Sequence, residues 1–209
     1  MPRALPVSSV SMNKQAIYRR VAQLHAENIN QGFLSSLGLN FLMLLYQAID
    51  ESPVSVLILA WEDNQLVGFV SGALGMGSVY RQLLRYWPRL IMALAPSLLM
   101  PNRLWQIIEI LRYSRGGHEH GTKLPAAELL SIVVDPGVRG RSHADRLYRQ
   151  LTEFFAQRGE HEFKIIVGAA LAPAHRFYRR MGAQPAAEIE IHQGVRSTVY
   201  VQALREEKH

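Results

Sequence analysis

The chain has 209 residues, 48% of them hydrophobic, with a formal net charge of +6 and no cysteine. That length suits one domain with a sizeable core, or one domain carrying an insertion, and the missing cysteines exclude disulfides, thiolate metal sites and a cysteine acyl-enzyme. Only Lys14, Lys123, Lys164 and Lys208 are lysines, so the positive excess is arginine, whose fork suits phosphate and carboxylate; it is spread without the aromatic interleaving of a single-strand binder, and no nucleic-acid partner is expected.

Val7 to Val10 reads as a short strand, after which Ile17, Val21, Leu24 and Ile29 recur at helical spacing with polar residues on the other faces. A second helix is expected from about Gln31, with Leu34, Leu37, Phe41, Leu44, Leu45 and Ala48 keeping the period across Gly38 and Ser52-Pro53 ending it. Val54 to Trp61 and Gln65 to Ser71 form two β-branched runs around Glu62-Asp63-Asn64, the pattern of an antiparallel hairpin. Gly72, Gly75 and Gly77 then loosen the chain.

From about 78 to 123 the character changes. Leu83, Leu84, Trp87, Ile91 and Leu94 make one apolar stripe and Leu104, Ile107, Ile108 and Leu111 another, with Pro96 and Pro101 marking a break. Arg89, Pro96, Pro101 and Arg103 cut the apolar run too short for a membrane span, so a helical insertion is expected. Its arginine-rich face leaves open a lid, a homodimer contact or peripheral contact with an anionic membrane. His118-Glu119-His120 resembles a metal-binding triplet, but no further ligands follow at a recognisable spacing and no metal is expected.

The centre of the chain is LLSIVVDPGVRGRSHAD, Leu129 to Asp145. An apolar strand stops at Asp135-Pro136-Gly137, passes into a basic loop, and enters a helix for which Ser142 and Asp145 supply a capping box. Strand, basic loop and helix start make an anion site, because the first turn presents unpaired N–H groups and the positive end of the dipole. Phe163 to Val167 is a further strand, Ala172 to Gly182 a helix, and Ala187 to Ile191 with Val195 to Val201 a closing hairpin.

Arg139, Ser142 and Ala144 in that loop, followed by Ala174, Tyr178 and Gly182 in the later helix, resemble the two motifs of the GNAT acetyltransferase superfamily. The resemblance implies a mixed α/β fold, a mostly antiparallel central sheet splayed in the middle, flanked by helices, with the insertion between its third and fourth strands. It implies acetyl-CoA as cosubstrate, a cytoplasmic setting that fits the lack of a signal-peptide core in Met1 to Arg20, and an amine acceptor. Backbone amides of Arg139, Gly140, Arg141, Ser142, His143 and Ala144 would hold the pyrophosphate. The edge of Ile132, Val133 and Val134 would pair with the pantetheine arm, with Ala174 and Tyr178 facing the same cofactor. Tyr178 matches the tyrosine that protonates the leaving thiolate.

Ser142 stands where glycine is usual and could serve only if its φ stays negative, its hydroxyl adding a donor. Glu128 is the candidate base: in a regular strand it shares a face with Leu130 and Ile132, and a bulge between them would turn it away. Arg176, Arg179 and Arg180 reach either phosphate or solvent. The acceptor expected is a small-molecule amine, an amino sugar, antibiotic or metabolite, since a basic surface repels a lysine-rich peptide.

Overall fold

A six-stranded sheet with strand order β1-β2-β3-β4-β6-β5 organises the molecule. The computed structural model describes residues 13–29, 33–98, 124–192 and 195–204. The strands are β1 (Ser55–Glu62), β2 (Gln65–Ala73), β3 (Glu128–Val134), β4 (Glu162–Gly168), β5 (Gln184–His192) and β6 (Val195–Ala203). All neighbours are antiparallel except β3 and β4, which run parallel. The β1–β2 hairpin closes as expected: Asp63 and Asn64 both take positive φ, 48° and 60°, which twists a two-residue turn to match the strands.

Helices cover both faces. On one lie α1 (Lys14–Asn28), the single turn α2 (Phe33–Ser36), α3 (Leu39–Glu51), α4 (Met76–Arg85) and α5 (Trp87–Leu98). Val21, Leu24, Leu42, Leu45, Tyr46 and Ile49 pack there against Phe69, Ala73 and Val133. On the other lie α6 (His143–Gln157) and α7 (Ala172–Arg180), whose Leu147, Tyr148, Leu151, Phe155 and Tyr178 meet Val70, Leu129, Phe163, Ile165 and Tyr200. The alternation of β3 thus feeds two cores at once, as a strand buried on both faces must.

Two expectations need correction. The helix foreseen across Gly38 is two pieces, because Gly38 adopts φ 90°, a left-handed value that stops α2 and starts α3. In the insertion, the first apolar stripe is split at Tyr86, with Pro88 early in α5 where no N–H is needed, and the helix runs on through position 96. Val7–Val10, the second stripe and the His118-Glu119-His120 triplet lie outside the described residues. Leu84, Trp87, Ile91 and Met92 of α4 and α5 are exposed. Among the described residues, no helix is long and apolar enough to cross a membrane.

The β2–β3 contact tolerates no side chain at Gly68, where an added Cβ would lie 2.8 Å from the Val133 carbonyl oxygen. Because the obstacle is backbone of a central strand, Gly68→Ala is expected to destabilise the fold by about 1–3 kcal/mol, read as a lower urea midpoint at unchanged slope.

Candidate active site

Strands β3 and β4 pair only through Glu128↔Lys164 and Leu129↔Ile165. Beyond that vertex β3 stays bonded to β2 and β4 to β6, while the two inner edges part. A bulge contributes: Ser71 pairs with Ser131 but Gly72 with Leu129, leaving Leu130 as the extra residue, and such an insertion bends its strand and sharpens the twist. The Asp135 N–H bonds the Val67 carbonyl at 2.8 Å, so alternate residues Val133 and Ser131 also direct their amides to β2. Ile132 and Val134 therefore direct theirs into the gap.

At the open end of the gap lies a cleft of about 190 Å³ lined by Val134, Val138, Arg139, Gly140, Ser142, His143, Ala144, Asp145 and Arg180. The loop bends through Gly140 at φ 85° and Ser142 at φ 59°. Two expectations fail here. Ser142 does not keep a negative φ, and the capping box does not form, since the Ser142 side chain makes no cap bond and Asp145 turns instead to Arg180. The Ser142 carbonyl still accepts from Arg146, so α6 starts normally and the amides of its first turn make no hydrogen bond among the described residues.

The basic side chains around the cleft each have an internal partner. Arg180 grips Asp145 with bonds of 2.8 and 3.0 Å, Arg139 donates to Asn28 at 3.1 Å, and Arg141 pairs with Glu62 at the end of β1. His143 is buried with its ring turned to β1: Arg146 donates to Nδ1 at 2.8 Å, so Nε2 carries the proton and donates to Glu62 at 2.6 Å. The His143 hydrogen bond, then Arg141, holds the Glu62 carboxyl below its usual range. Nothing in the sequence marked Glu62, because it meets the loop from 79 residues away.

Tyr178 projects from α7 into an aromatic nest, with ring centroids 5.3 Å from Phe177, 6.1 Å from Tyr148 and 6.3 Å from Tyr200. Burial pushes its phenol well above the ordinary range, so it stays protonated. His175 fastens α7 by bonding Tyr200 of β6 at 2.8 Å and the Gly168 carbonyl of β4 at 3.1 Å. Ala174 packs on the same cluster. Of Arg176, Arg179 and Arg180, only Arg180 lines the cleft.

Glu128 sits at the vertex, 3.5 Å from Lys164. Burial raises its carboxyl and Lys164 opposes that rise. The bulge does turn it: Glu128 pairs with Ala73, whose side chain belongs to the α1/α3 core, while Ile132 packs against the α6 core. Glu128 and Ile132 thus do not share a face. Leu130 joins Glu128 on the α1/α3 side.

A left-handed serine is strained by about 1 kcal/mol relative to glycine. Ser142→Gly is accordingly expected to raise thermal stability by about that amount, checked by calorimetric unfolding.

The sequence matches the profile of the Acetyltransferase (GNAT) family over residues 29–183. No curated protein matches it significantly. The fold is similar to an aminoglycoside 6′-N-acetyltransferase complexed with coenzyme A, with TM-score 0.58 and 11% identity over 98% of this chain and 100% of that one. It is also similar to a second acetyltransferase, with TM-score 0.57 and 13% identity over 91% and 96%. Ard1 from Thermoplasma volcanium follows at TM-score 0.51 and 14% identity over 92% and 93%. At such identities the structures speak to fold alone, but the profile spans most of the sequence: the chain belongs to the GNAT acetyltransferase family, whose acyl donor is acetyl-CoA.

Proposed function

We propose that the chain transfers an acetyl group directly to a primary amine of a small molecule, an amino sugar, antibiotic or metabolite, as one domain with an insertion at about 78–123. The parting of β3 from β4 above a loop whose amides from Gly140 to Ala144 make no hydrogen bond among the described residues is the observation that carries this reading. When bound, acetyl-CoA supplies an activated acyl carbon and a thiolate leaving group. The Ile132 and Val134 amides then hold the pantetheine arm and the acyl carbonyl, polarising it as charge develops. The Gly140, Arg141, His143 and Ala144 amides hold the diphosphate at the start of α6, with Arg180 at the rim.

Tyr178 donates its proton to the departing sulfur, for which a protonated, buried phenol without a hydrogen-bond partner among the described residues is suited. Glu128 takes the amine proton from the α1/α3 face, its raised carboxyl being a better base than an exposed one. The new C–N bond forms as C–S breaks, so one proton goes to Glu128 and one leaves Tyr178. An acceptor of small size is favoured by the arginine-rich surface, which repels lysine-rich tails, and by the aminoglycoside enzymes among the fold neighbours.

A panel of amines with acetyl-CoA tests the acceptor class: an aminoglycoside, glucosamine, spermidine and a lysine-bearing peptide. Acetylation of one or more of the small amines is expected, and acetylation of the peptide alone overturns the reading. Tyr178→Phe is expected to lower kcat by about 10²-fold or more while titration calorimetry gives an unchanged acetyl-CoA Kd. Because Glu128 titrates above an ordinary glutamate, the rate is expected to fall on acidification through that raised pKa, and Glu128→Gln to abolish the acid limb together with most of the activity.

A further inference from the structure

Helices α4 and α5 present an outer face that acetyl transfer leaves unused. Their inner side, Val79, Leu83, Leu90, Ala93 and Leu94, packs on the α1/α3 core. Their outer side carries Leu84, Trp87, Ile91 and Met92 at 58, 62, 53 and 76% exposure. The Tyr86 N–H bonds the Leu83 carbonyl at 3.1 Å and the Leu90 N–H bonds the Tyr86 carbonyl at 2.9 Å, so the two helices join through a single residue. Across that joint Leu84, Trp87 and Ile91 follow at spacings of three and four and form one row, with Met92 beside it. Side chains this open contribute little to folding, and their apolar area is rewarded only when something covers it.

The charge on the same face says what that cover is. Arg81, Arg85 and Arg89 recur at every fourth residue, all exposed, along one flank of the apolar row. Neither helix contains an aspartate or glutamate. Arg85 reaches Gln82 at 3.4 Å, and among the described residues none of the three arginines is in a salt bridge. Glu51 of α3, which comes up to these helices, is engaged by Gln82 and Tyr86. A second copy of the chain suits this face poorly, because a two-fold contact sets three guanidiniums against three others with no carboxylate from either helix between them. A protein groove would need acids at three fixed places, whereas anionic headgroups move laterally to meet the arginines while their acyl chains take the apolar row. Tryptophan favours that boundary, where an apolar ring meets a polar layer.

We propose that the α4–α5 face docks on an anionic phospholipid bilayer, with Leu84, Trp87, Ile91 and Met92 entering the headgroup boundary and Arg81, Arg85 and Arg89 pairing with lipid phosphates and carboxylates. The helices lie on the surface, since among the described residues none is long and apolar enough to cross it. The docking face is separate from the cleft at the start of α6 and does not depend on which acceptor is acetylated.

Cosedimentation of the full chain with vesicles tests this. With vesicles of equal parts phosphatidylcholine and phosphatidylserine the chain is expected to pellet, and with phosphatidylcholine alone to stay in the supernatant. Arg85→Gln with Arg89→Gln is expected to weaken partitioning about 30-fold, the worth of two surface charges. Trp87→Ser with Ile91→Ser is expected to abolish it, and both pairs of substitutions to leave the acetyl-CoA Kd unchanged, which reports an intact fold. A parent chain that ignores the mixed vesicles overturns the proposal, as does equal pelleting with phosphatidylcholine alone. So does pelleting that both pairs of substitutions leave within twofold of the parent. A parent that ignores vesicles but forms a dimer that Trp87→Ser with Ile91→Ser disrupts assigns the face to a second copy instead.

Discussion

Everything in this molecule depends on two parallel strands that pair for two residues and then part. A buried backbone group without a partner costs about 1–3 kcal/mol, so an opening in the middle of a sheet survives only if each strand is held firmly along its other edge and the inner edges meet solvent or ligand. Both conditions hold: β2 grips β3 to its last residue, β6 grips β4 throughout, and the gap opens to the cleft at the start of α6. The bulge at Leu130 is what lets β3 keep its bonds to β2 while swinging away from β4.

The departures from ordinary structural economy gather around this opening. Ser142 is left-handed, Glu128 sits half-buried at the vertex beside Lys164, and Ser71 and His25 keep side-chain atoms without a hydrogen-bond partner among the described residues on the α1/α3 side. Away from it the rules hold well, with a positive-φ hairpin turn, alternating β3 side chains serving two cores, and aromatic rings stacked edge to face behind Tyr178. Strain and unsatisfied polarity concentrated around one opening mark where the chain departs from what stability alone would choose.

Much of the architecture was legible in the sequence because it is local. The hairpin at Asp63-Asn64, the strand ending at Asp135 and the helices from Ser142 and Ala172 all follow from turn chemistry and hydrophobic period. The two helix boundaries read wrongly, at Gly38 and Tyr86, turn on whether one residue adopts a left-handed or capping conformation, which periodicity does not reveal. In the site, loop and Tyr178 helix carry motif spacing, so they could be found. The Glu62 tie to Arg141 and His143, the Asp145–Arg180 pair and the His25–Tyr46 pair join residues far apart in sequence, and only the folded chain brings them together. The face of Glu128 depended on a bulge that no residue pattern announces.

The partnering of Arg139, Arg141 and Arg180 has an electrostatic consequence. Although the chain carries a surplus of positive charge, the guanidiniums nearest the cleft are offset by Glu62 and Asp145 or occupied by Asn28. An approaching polyanion meets less far-reaching attraction there than the surplus charge suggests, with Arg139 the guanidinium of the three whose charge is not offset, so steering from a distance is weakened.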